Sequence, residues 1–235
     1  MKIFTHNDKM SALIIAETNL LPVMSRFNIK LGFKEKSIDE VCTDYGVNTD
    51  FFLAIANTYI NKNYFPEQKL LAFSPLLLIE YLQQTHHYYI TYIIPKIEQL
   101  LIRVVESESG ENSNLQLISS FYQNYKEELL LHFKQEEEET FPYITHLVNE
   151  KCYTQSKKRI YDYGQIHTDV EEKLSDLKNL TIKYLDGIYD ANYMNDFLHT
   201  LYHFEQDLND HARIEDVILV KQVIELEHKI NHQNQ

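Results

Sequence analysis

The chain has 235 residues, of which 44% are hydrophobic, and this is enough to bury a sizeable core. It carries 22 lysine and arginine residues against 35 aspartate and glutamate residues, and the net charge of -13 argues against a nucleic-acid or anionic-membrane partner, since both need a positive surface. Five glycines and five prolines leave few turn points, which predicts long helices and an all-α fold.

The sequence gives no sign of export or membrane insertion. Its first residues lack the apolar stretch of a signal peptide, and no run reaches the roughly 18 apolar residues of a membrane span. We therefore expect a cytoplasmic protein. Cys42 and Cys152 are too few for a disulfide framework or a thiolate metal site, so any metal site must use histidine and carboxylate side chains.

The amino-terminal part predicts several short helices. Ser37 and Glu40 in SIDEVCTDYG have the spacing of a capping box, Gly46 marks the end of that helix, and NTDFFLAIANTYI begins another. The polar segment NKNYFPEQK, residues 61–69, predicts a linker. These features predict a small helical N-terminal domain over residues 1–65.

Longer amphipathic stretches follow the linker. Ser74 and Pro75 form a helix start signal, and Pro95 should kink the helix that they begin. Apolar residues at helical spacing predict helices to about residue 105 and at about 115–150, 155–186 and 191–230. Four long helices with short connections predict an up-down-up-down four-helix bundle over residues 70–232.

Each of these four helices contains a candidate metal ligand. The second and fourth carry the motif His-x-x-x-Glu, which places both side chains on one helix face about 6 Å apart along the axis. The two halves of the bundle repeat the same order, a helix with one histidine and then a helix with the motif, at histidine separations of 45 and 44 residues. The candidate ligands are His87, His132, Glu136, His167, His211 and Glu215.

Two groups of neighbouring residues compete with these candidates. His86 and His87 point about 100° apart on a helix, so only one can face the core, and the spacing to Pro95 favours His87. The three glutamates that follow Glu136 are interpreted as a solvated face.

Further polar groups lie on the ligand-bearing helices. Glu128 and Asp207 each precede a candidate ligand histidine by four residues. They would either orient that histidine or form a short acidic path for Fe²⁺ to solvent. His199 and His203 are assigned to the surface or to a supporting role.

The ligand types indicate which metal would bind. Burial of four imidazoles and two carboxylates is costly unless a metal or extensive hydrogen bonding compensates. Two bridging glutamates with two imidazoles at each ion describe a dinuclear non-haem site, and this ligand mixture favours iron over manganese or zinc. Each ion would hold four protein ligands, which leaves room for an oxo or hydroxo bridge and a small exogenous ligand.

At these residues the chain resembles hemerythrin-like di-iron proteins, in particular the repair of iron centres (RIC) family of bacterial stress proteins. The resemblance rests on HHYYITYIIPKI, HFKQEEEETFP, GQIHTDVEEKL and HARIEDVILV, and it covers roughly residues 15–230. It implies the same six ligands, with His87 chosen over His86 and with Glu136 and Glu215 as bridges.

The resemblance also implies a function. A protein of this family would react with or sense NO, O₂ or peroxide, with or without turnover, and would donate iron to iron–sulfur proteins for repair of clusters damaged by oxidative or nitrosative stress. The alternative is a reversible O₂- or NO-binding sensor or carrier. Carriers of this fold use five histidines, whereas four are identifiable here. A third hypothesis is a metal-free interaction module.

The amino-terminal stretch departs from the family in one respect. It is similar to the small helical domain that precedes the bundle in RIC proteins, where the loop usually carries a Cys-Cys pair. The corresponding stretch here is IKLGFKEK and has no cysteine. Iron transfer through such a pair is therefore not expected in this chain.

Overall fold

The computed structural model describes residues 2–61, 63–108, 113–150 and 163–233. Within these ranges the chain is helical, without strands, and a single isolated antiparallel bridge joins Lys9 to Ser37. The prediction of an all-α fold is confirmed. The predicted division into two domains stays a prediction. The amino-terminal helices share a hydrophobic core with one end of the bundle.

The amino-terminal helices are short, and their ends follow the sequence signals. They are α1 (Met10–Ala16), a 3₁₀ turn (Thr18–Leu20), α2 (Leu21–Arg26), α3 (Ile38–Asp44), α4 (Thr49–Ile60) and α5 (Glu67–Leu71). The predicted capping box is present, because Ser37 Oγ accepts from Glu40 N at 3.2 Å and Glu40 Oε2 accepts from Ser37 N at 2.8 Å. Gly46 follows α3 with φ +67°, the left-handed conformation that glycine adopts without strain.

Four rods form the rest of the chain, and three of them are interrupted by a π turn. Their segments are α6 (Pro75–Tyr88), a π turn (Tyr89–Ile93) and α7 (Ile94–Glu106); α8 (Ser113–Gln135), a π turn (Glu136–Thr140) and α9 (Phe141–Glu150); α10 (Tyr163–Tyr184); and α11 (Ala191–Ile214), a π turn (Glu215–Leu219) and α12 (Val220–Gln233). We refer to them as the first, second, third and fourth rods.

The rods contact one another in chain order. The first rod packs against the second through α6 and α9, the second against the third through α8 and α10, and the third against the fourth through α10 and α11. Contacts between α7 and α11 close the ring. This is the neighbour pattern of an up-down-up-down four-helix bundle.

The π turns explain how prolines are accommodated inside two rods. Pro95 and Pro142 each stand at the second position of the α-helix that directly follows a π turn. A proline ring lacks an N–H and clashes with the carbonyl four residues earlier in a regular α-helix. The disturbance predicted at Pro95 therefore takes the form of the wider π turn that precedes it.

Two hydrophobic clusters fill the molecule on either side of the bundle centre. One joins the amino-terminal helices to the bundle end that contains Phe141 and Ile218. The other fills the opposite end and contains Tyr89, Phe133 and Phe204. The region between them is where the candidate ligands meet.

Candidate metal centre

A buried polar cluster lies in the middle of the bundle, where three rods meet. His86 comes from the first rod, Glu136 from the second, and His211 and Glu215 from the fourth. One ligand atom of each residue lies within 4.8 Å of those of the other three, and all four side chains are buried. The group could therefore hold a metal ion.

The separations between these atoms resemble those of ligands on a common ion. His86 Nε2 lies 3.1 Å from His211 Nε2 and 3.3 Å from Glu136 Oε2. His132 Nε2 lies 3.3 Å from Glu136 Oε1, and His211 Nε2 lies 3.2 Å from Glu215 Oε2. Two ligand atoms about 2.1 Å from one ion lie about 3 Å apart at adjacent coordination positions. The observed distances fit that spacing.

The π turns lie at the cluster. Both glutamates are the first residues of their π turns, and the third π turn begins three residues after His86. A π turn adds one residue to the helical turn and so changes which side chains face the core after it. Such turns frequently occur at functional sites. Here they allow each ligand to face inward while the apolar residues beyond it remain in the core.

His86 is held in place by a second carboxylate. Its Nδ1 donates to Glu137 Oε1 at 2.9 Å, and Gln83 Nε2 donates to Glu137 Oε2 at 2.8 Å. Because a carboxylate can only accept, Nδ1 carries the proton, and Nε2 is the ring nitrogen that faces the cluster. This is the supporting arrangement typical of metal-bound histidines.

The same contacts change the pKa values of both partners. Burial lowers the pKa of His86, but the hydrogen bonds with Glu136 and Glu137 and the charge of Glu215 raise it, with a net result of about 9. Burial raises the pKa of Glu137, whereas its bonds with His86 and Gln83 lower it below the ordinary value. The electrostatics of the cluster thus favour a positive charge at His86, in the position where a cation would be held.

Aromatic rings surround the imidazoles. Phe133 stacks on His86 with ring centroids 4.4 Å apart, and Phe141 stacks on it at 5.7 Å. The Tyr89 ring meets His211 edge-on at 5.8 Å. These rings exclude water from the ligand atoms and lower the local dielectric, so a charge in the cluster interacts strongly with its neighbours.

The prediction of His87 as a ligand is wrong, because the structure brings His86 into the cluster instead. The side chain of His87 is exposed, whereas His86 is 1% exposed. The reason is helix phase. The buried residues Leu82, Tyr89 and Ile93 lie seven and four residues apart on one face, and position 86 falls on the same face, four residues after Leu82 and three before Tyr89.

The structure places the other predicted ligands in two groups. Glu136, His211 and Glu215 belong to the buried cluster, and His132 is buried beside it with Nε2 3.3 Å from Glu136 Oε1. His167 belongs to the part of α10 whose side chains lie outside the described residues. Whether all of them bind metal stays a prediction.

The interpretation of the glutamate run also needs one correction. Glu138 and Glu139 are exposed, as expected for a solvated face. Glu137 is only 32% exposed in its side chain and bonds to His86. The sequence alone does not identify Glu137, because a carboxylate next to a ligand has no motif of its own. Its partner His86 lies on the neighbouring rod, so the contact depends on how the two rods pack.

The predicted acidic path to solvent is not formed by Glu128 and Asp207 together. Glu128 is half exposed and pairs with Lys173 on the surface. Asp207 is mostly buried and pairs with Arg26, whose Nη1 donates to Asp207 Oδ1 at 3.0 Å. The two acids have different surroundings, so the prediction that they form one path together is wrong.

The types of side chain in and beside the cluster suit a metal ion. Three imidazoles and two carboxylates are borderline ligands of the kind that bind iron, manganese and zinc. Carboxylates placed among phenylalanine rings need positive charge beside them, because burial of an uncompensated anion is very unfavourable. A divalent ion would supply that charge and would bind His86 as the neutral imidazole. The residues present therefore fit a cation.

Within the described ranges, no helix combines the length and apolar character needed to cross a bilayer.

Comparison with known proteins gives a curated relative. The chain is 22% identical over 142 residues to the iron-sulfur cluster repair protein ScdA of Staphylococcus haemolyticus (strain JCSC1435). The similarity covers 60% of this chain and 64% of the relative, so the chain spans less than two thirds of the relative's length. It supports the predicted resemblance to the repair of iron centres family.

A protein-family model covers most of the bundle. The model of the hemerythrin HHE cation binding domain matches residues 78–223, a segment that begins in α6, ends in α12 and contains the whole buried cluster. Because the match extends over more than half of the chain, this protein belongs to the hemerythrin family, whose HHE domain binds cations.

Proposed function

We propose that this chain is a non-haem di-iron protein that binds or reacts with NO, O₂ or peroxide and donates iron for repair of damaged iron–sulfur clusters. The observation that carries the proposal is the position of Glu136. Its Oε1 lies 3.3 Å from His132 Nε2, and its Oε2 lies 3.3 Å from His86 Nε2. Each oxygen thus faces a different imidazole, as a carboxylate does when it bridges two ions.

The remaining ligands would complete the two ions. Glu215 lies beside His211 as Glu136 lies beside His132, in the same i, i+4 relation. We assign Glu215 as the second bridge and His167 as a fourth imidazole. Iron bound there supplies reversible electron transfer and an open position for a small ligand.

The surrounding residues have their own tasks in this function. Glu137 holds the His86 ring with Nε2 toward the cluster, and Gln83 fixes Glu137. Phe133 and Phe141 both stack on the His86 ring and give the cluster apolar surroundings, which favour a small uncharged ligand. We infer that the bundle favours diatomic molecules and peroxide over charged ligands.

Iron donation by this chain would not use Cys42. Its thiol is buried, and burial raises its pKa to about 12, so it carries little thiolate at neutral pH. Together with the missing Cys-Cys pair, this favours direct release of iron from carboxylate and imidazole ligands. The name of the ScdA relative supports a repair role for the released iron.

Metal analysis with an optical spectrum before and after NO tests the proposal. We expect two iron ions per chain in protein purified without oxygen, and a spectral change when NO is added. Glu136→Ala should lower iron well below two per chain, because it removes a bridge. Glu138→Ala is the matched control, since Glu138 is 66% exposed two residues away. Equal iron in both variants, or wild-type protein without iron, would contradict the proposal.

Repair is tested separately from metal binding. Iron-loaded protein, mixed with an apo iron–sulfur protein, sulfide and a thiol reductant, should restore the cluster absorbance of that acceptor. A strong chelator of ferrous iron added first should prevent it. If the protein binds oxygen reversibly through repeated cycles and restores no cluster, it is instead a carrier or sensor.

A further inference from the structure

Three tyrosines lie close together on the first rod, between the buried cluster and the surface. Tyr88 is the last residue of α6, and Tyr89 and Tyr92 belong to the π turn that follows it. Tyr89 is fully buried, Tyr88 is partly buried, and Tyr92 is 54% exposed. The three phenol rings therefore extend from the core of the bundle to solvent.

The rings contact one another and the cluster in series. Tyr89 lies edge-on to the imidazole of His211, a cluster residue, with ring centroids 5.8 Å apart. The Tyr88 ring lies 6.1 Å from that of Tyr89, and the Tyr92 ring lies 5.4 Å from that of Tyr88. All three separations fall within the roughly 4.5–7 Å of direct aromatic contacts. An electron transfers readily between rings in contact, so the series connects the cluster to the surface.

A large groove opens beside the two outer tyrosines. It has a volume of about 880 Å³ and lies between residues 18–25, the first rod and helix α11. Tyr88 and Tyr92 line it on the side of the first rod, and His199 and His203 line it on the side of α11. A groove of this size has room for a small aromatic molecule.

The lining of the groove suits a phenol. A phenol ring can pack against Tyr88 and Tyr92, and its hydroxyl can hydrogen-bond with His199 or His203, which are both exposed. A phenol also gives up a single electron readily, and its hydroxyl proton leaves with that electron. The groove therefore combines a place for a one-electron donor with the outer end of the tyrosine series.

A buried tyrosine can be oxidised only where a base takes its phenol proton. Burial and the charge of Asp207 raise the pKa of Tyr89, so this carboxylate lies within electrostatic reach of the Tyr89 hydroxyl. A carboxylate has about four acceptor positions, of which Arg26 fills two and Tyr59 one. Because an oxidised phenol is a strong acid, the remaining position on Asp207 can take its proton.

We propose that Tyr89, Tyr88 and Tyr92 carry electrons one at a time from a small phenol in the groove to peroxide at the buried cluster. The protein then acts as a peroxidase toward phenols. The path rests on the proposed function, since it requires an iron-loaded cluster that reacts with peroxide.

The electrons and protons of this reaction balance. Peroxide takes two electrons and two protons, its O–O bond breaks, and it leaves as two water molecules. Each electron comes from Tyr89, whose proton passes to Asp207 and returns when Tyr88 reduces the Tyr89 radical. The outer tyrosines release their protons to water in the groove and recover them when a phenol reduces them. Two phenols thus become two phenoxyl radicals, and the two protons that they release equal the two that peroxide takes up.

The test follows where oxidation appears when peroxide is added to the iron-loaded full chain without a phenol. The wild type should give a tyrosyl radical signal in electron paramagnetic resonance, and then covalent dimers joined by dityrosine, because the exposed Tyr92 rings of two copies can meet. Tyr89→Phe should lose both signals, since phenylalanine keeps the ring but has no hydroxyl to oxidise. Tyr92→Phe should keep the radical signal and lose most of the dimers.

The chain contains a matched control for the exposed tyrosine. Tyr202 is 48% exposed, and its ring lies under the Lys178 ammonium at 4.2 Å. Tyr202→Phe should behave like the wild type. Hydroquinone added before peroxide should be oxidised and should suppress the dimers in the wild type, whereas Tyr89→Phe should lose most of the hydroquinone oxidation. Iron analysis and circular dichroism of every variant check that the cluster and the bundle are intact.

Each contrary result has a defined meaning. Radical and dimers at the wild-type level in Tyr89→Phe overturn the path while the di-iron proposal stands. The same oxidation in the metal-free chain has the same consequence, because it then arises in solution. A wild type that binds iron but gives no tyrosyl radical with peroxide also overturns the path alone. A wild type that binds no iron overturns the di-iron proposal and the path with it.

Discussion

The choice between two adjacent histidines decides the ligand set at the first rod. His86 is buried with Nε2 facing His211 and Glu136, whereas His87 is exposed. We expect His86→Ala to lose at least one iron per chain and to alter the optical spectrum, because it removes a ligand and leaves the Glu137 contact unmade. His87→Ala should keep both. Iron analysis of the two variants checks this, and loss of iron from the His87 variant alone would restore the original choice.

At this scale the sequence contained most of the site. The two His-x-x-x-Glu motifs predicted three residues of the buried cluster, Glu136, His211 and Glu215, and His132 beside it. The phase of Leu82, Tyr89 and Ile93 selects His86, whereas the spacing to Pro95 and the family resemblance favour His87. Glu137 could not be predicted, because its role depends on the distance between two rods.

An aspartate side chain caps the amino-terminal end of α11. Asp190 precedes α11, and its Oδ1 accepts from Asn192 N at 2.7 Å and from Tyr193 N at 3.3 Å. Asp190→Ala should lower the free energy of unfolding by about 1 kcal/mol, the usual effect of losing such a cap. Urea denaturation measures it. Asn195→Ala, an exposed site in the same helix, is the control and should change stability little; an Asp190→Ala variant as stable as the wild type would show that the cap contributes nothing.

Helix boundaries could be predicted where a side chain bonds to its own local backbone. Ser37 and Ser74 were identified from sequence, and both accept the expected N–H groups. The π turns could not be identified in this way, because they have no residue signature and depend on packing across the bundle. Pro95 indicated a disturbance but not its form.

At the scale of the whole molecule, one buried ion pair links the amino-terminal helices to the fourth rod. Arg26 is fully buried in its side chain and donates from Nη1 to Asp207 Oδ1 at 3.0 Å and to the Tyr59 hydroxyl at 2.9 Å. Tyr59 in turn donates to Asp207 Oδ1 at 2.9 Å. The pair joins residues 181 positions apart, so nothing in the local sequence predicts it.

Removing one partner of this pair should be costly. Arg26→Met leaves the Asp207 carboxylate without its cation in a mostly buried place, and we expect it to lower the free energy of unfolding by about 3–5 kcal/mol. The double variant Arg26→Met/Asp207→Leu should recover part of the loss, because no charge is left behind. Denaturation in urea measures both. A single variant as stable as the wild type would mean that the ion pair does not link the two parts.

The hydrophobic cluster that unites the amino-terminal helices with the bundle end also affects how the chain is made. It joins Phe4, near the beginning, to Ile230 in the last helix. A ribosome that adds about 5–20 residues per second needs roughly 10–45 s between these two residues. During that time the amino-terminal helices have no complete surface to pack against, and their apolar side chains remain open to chaperones. The amino-terminal helices thus reach their final packing only after the helix that contains Ile230 has emerged.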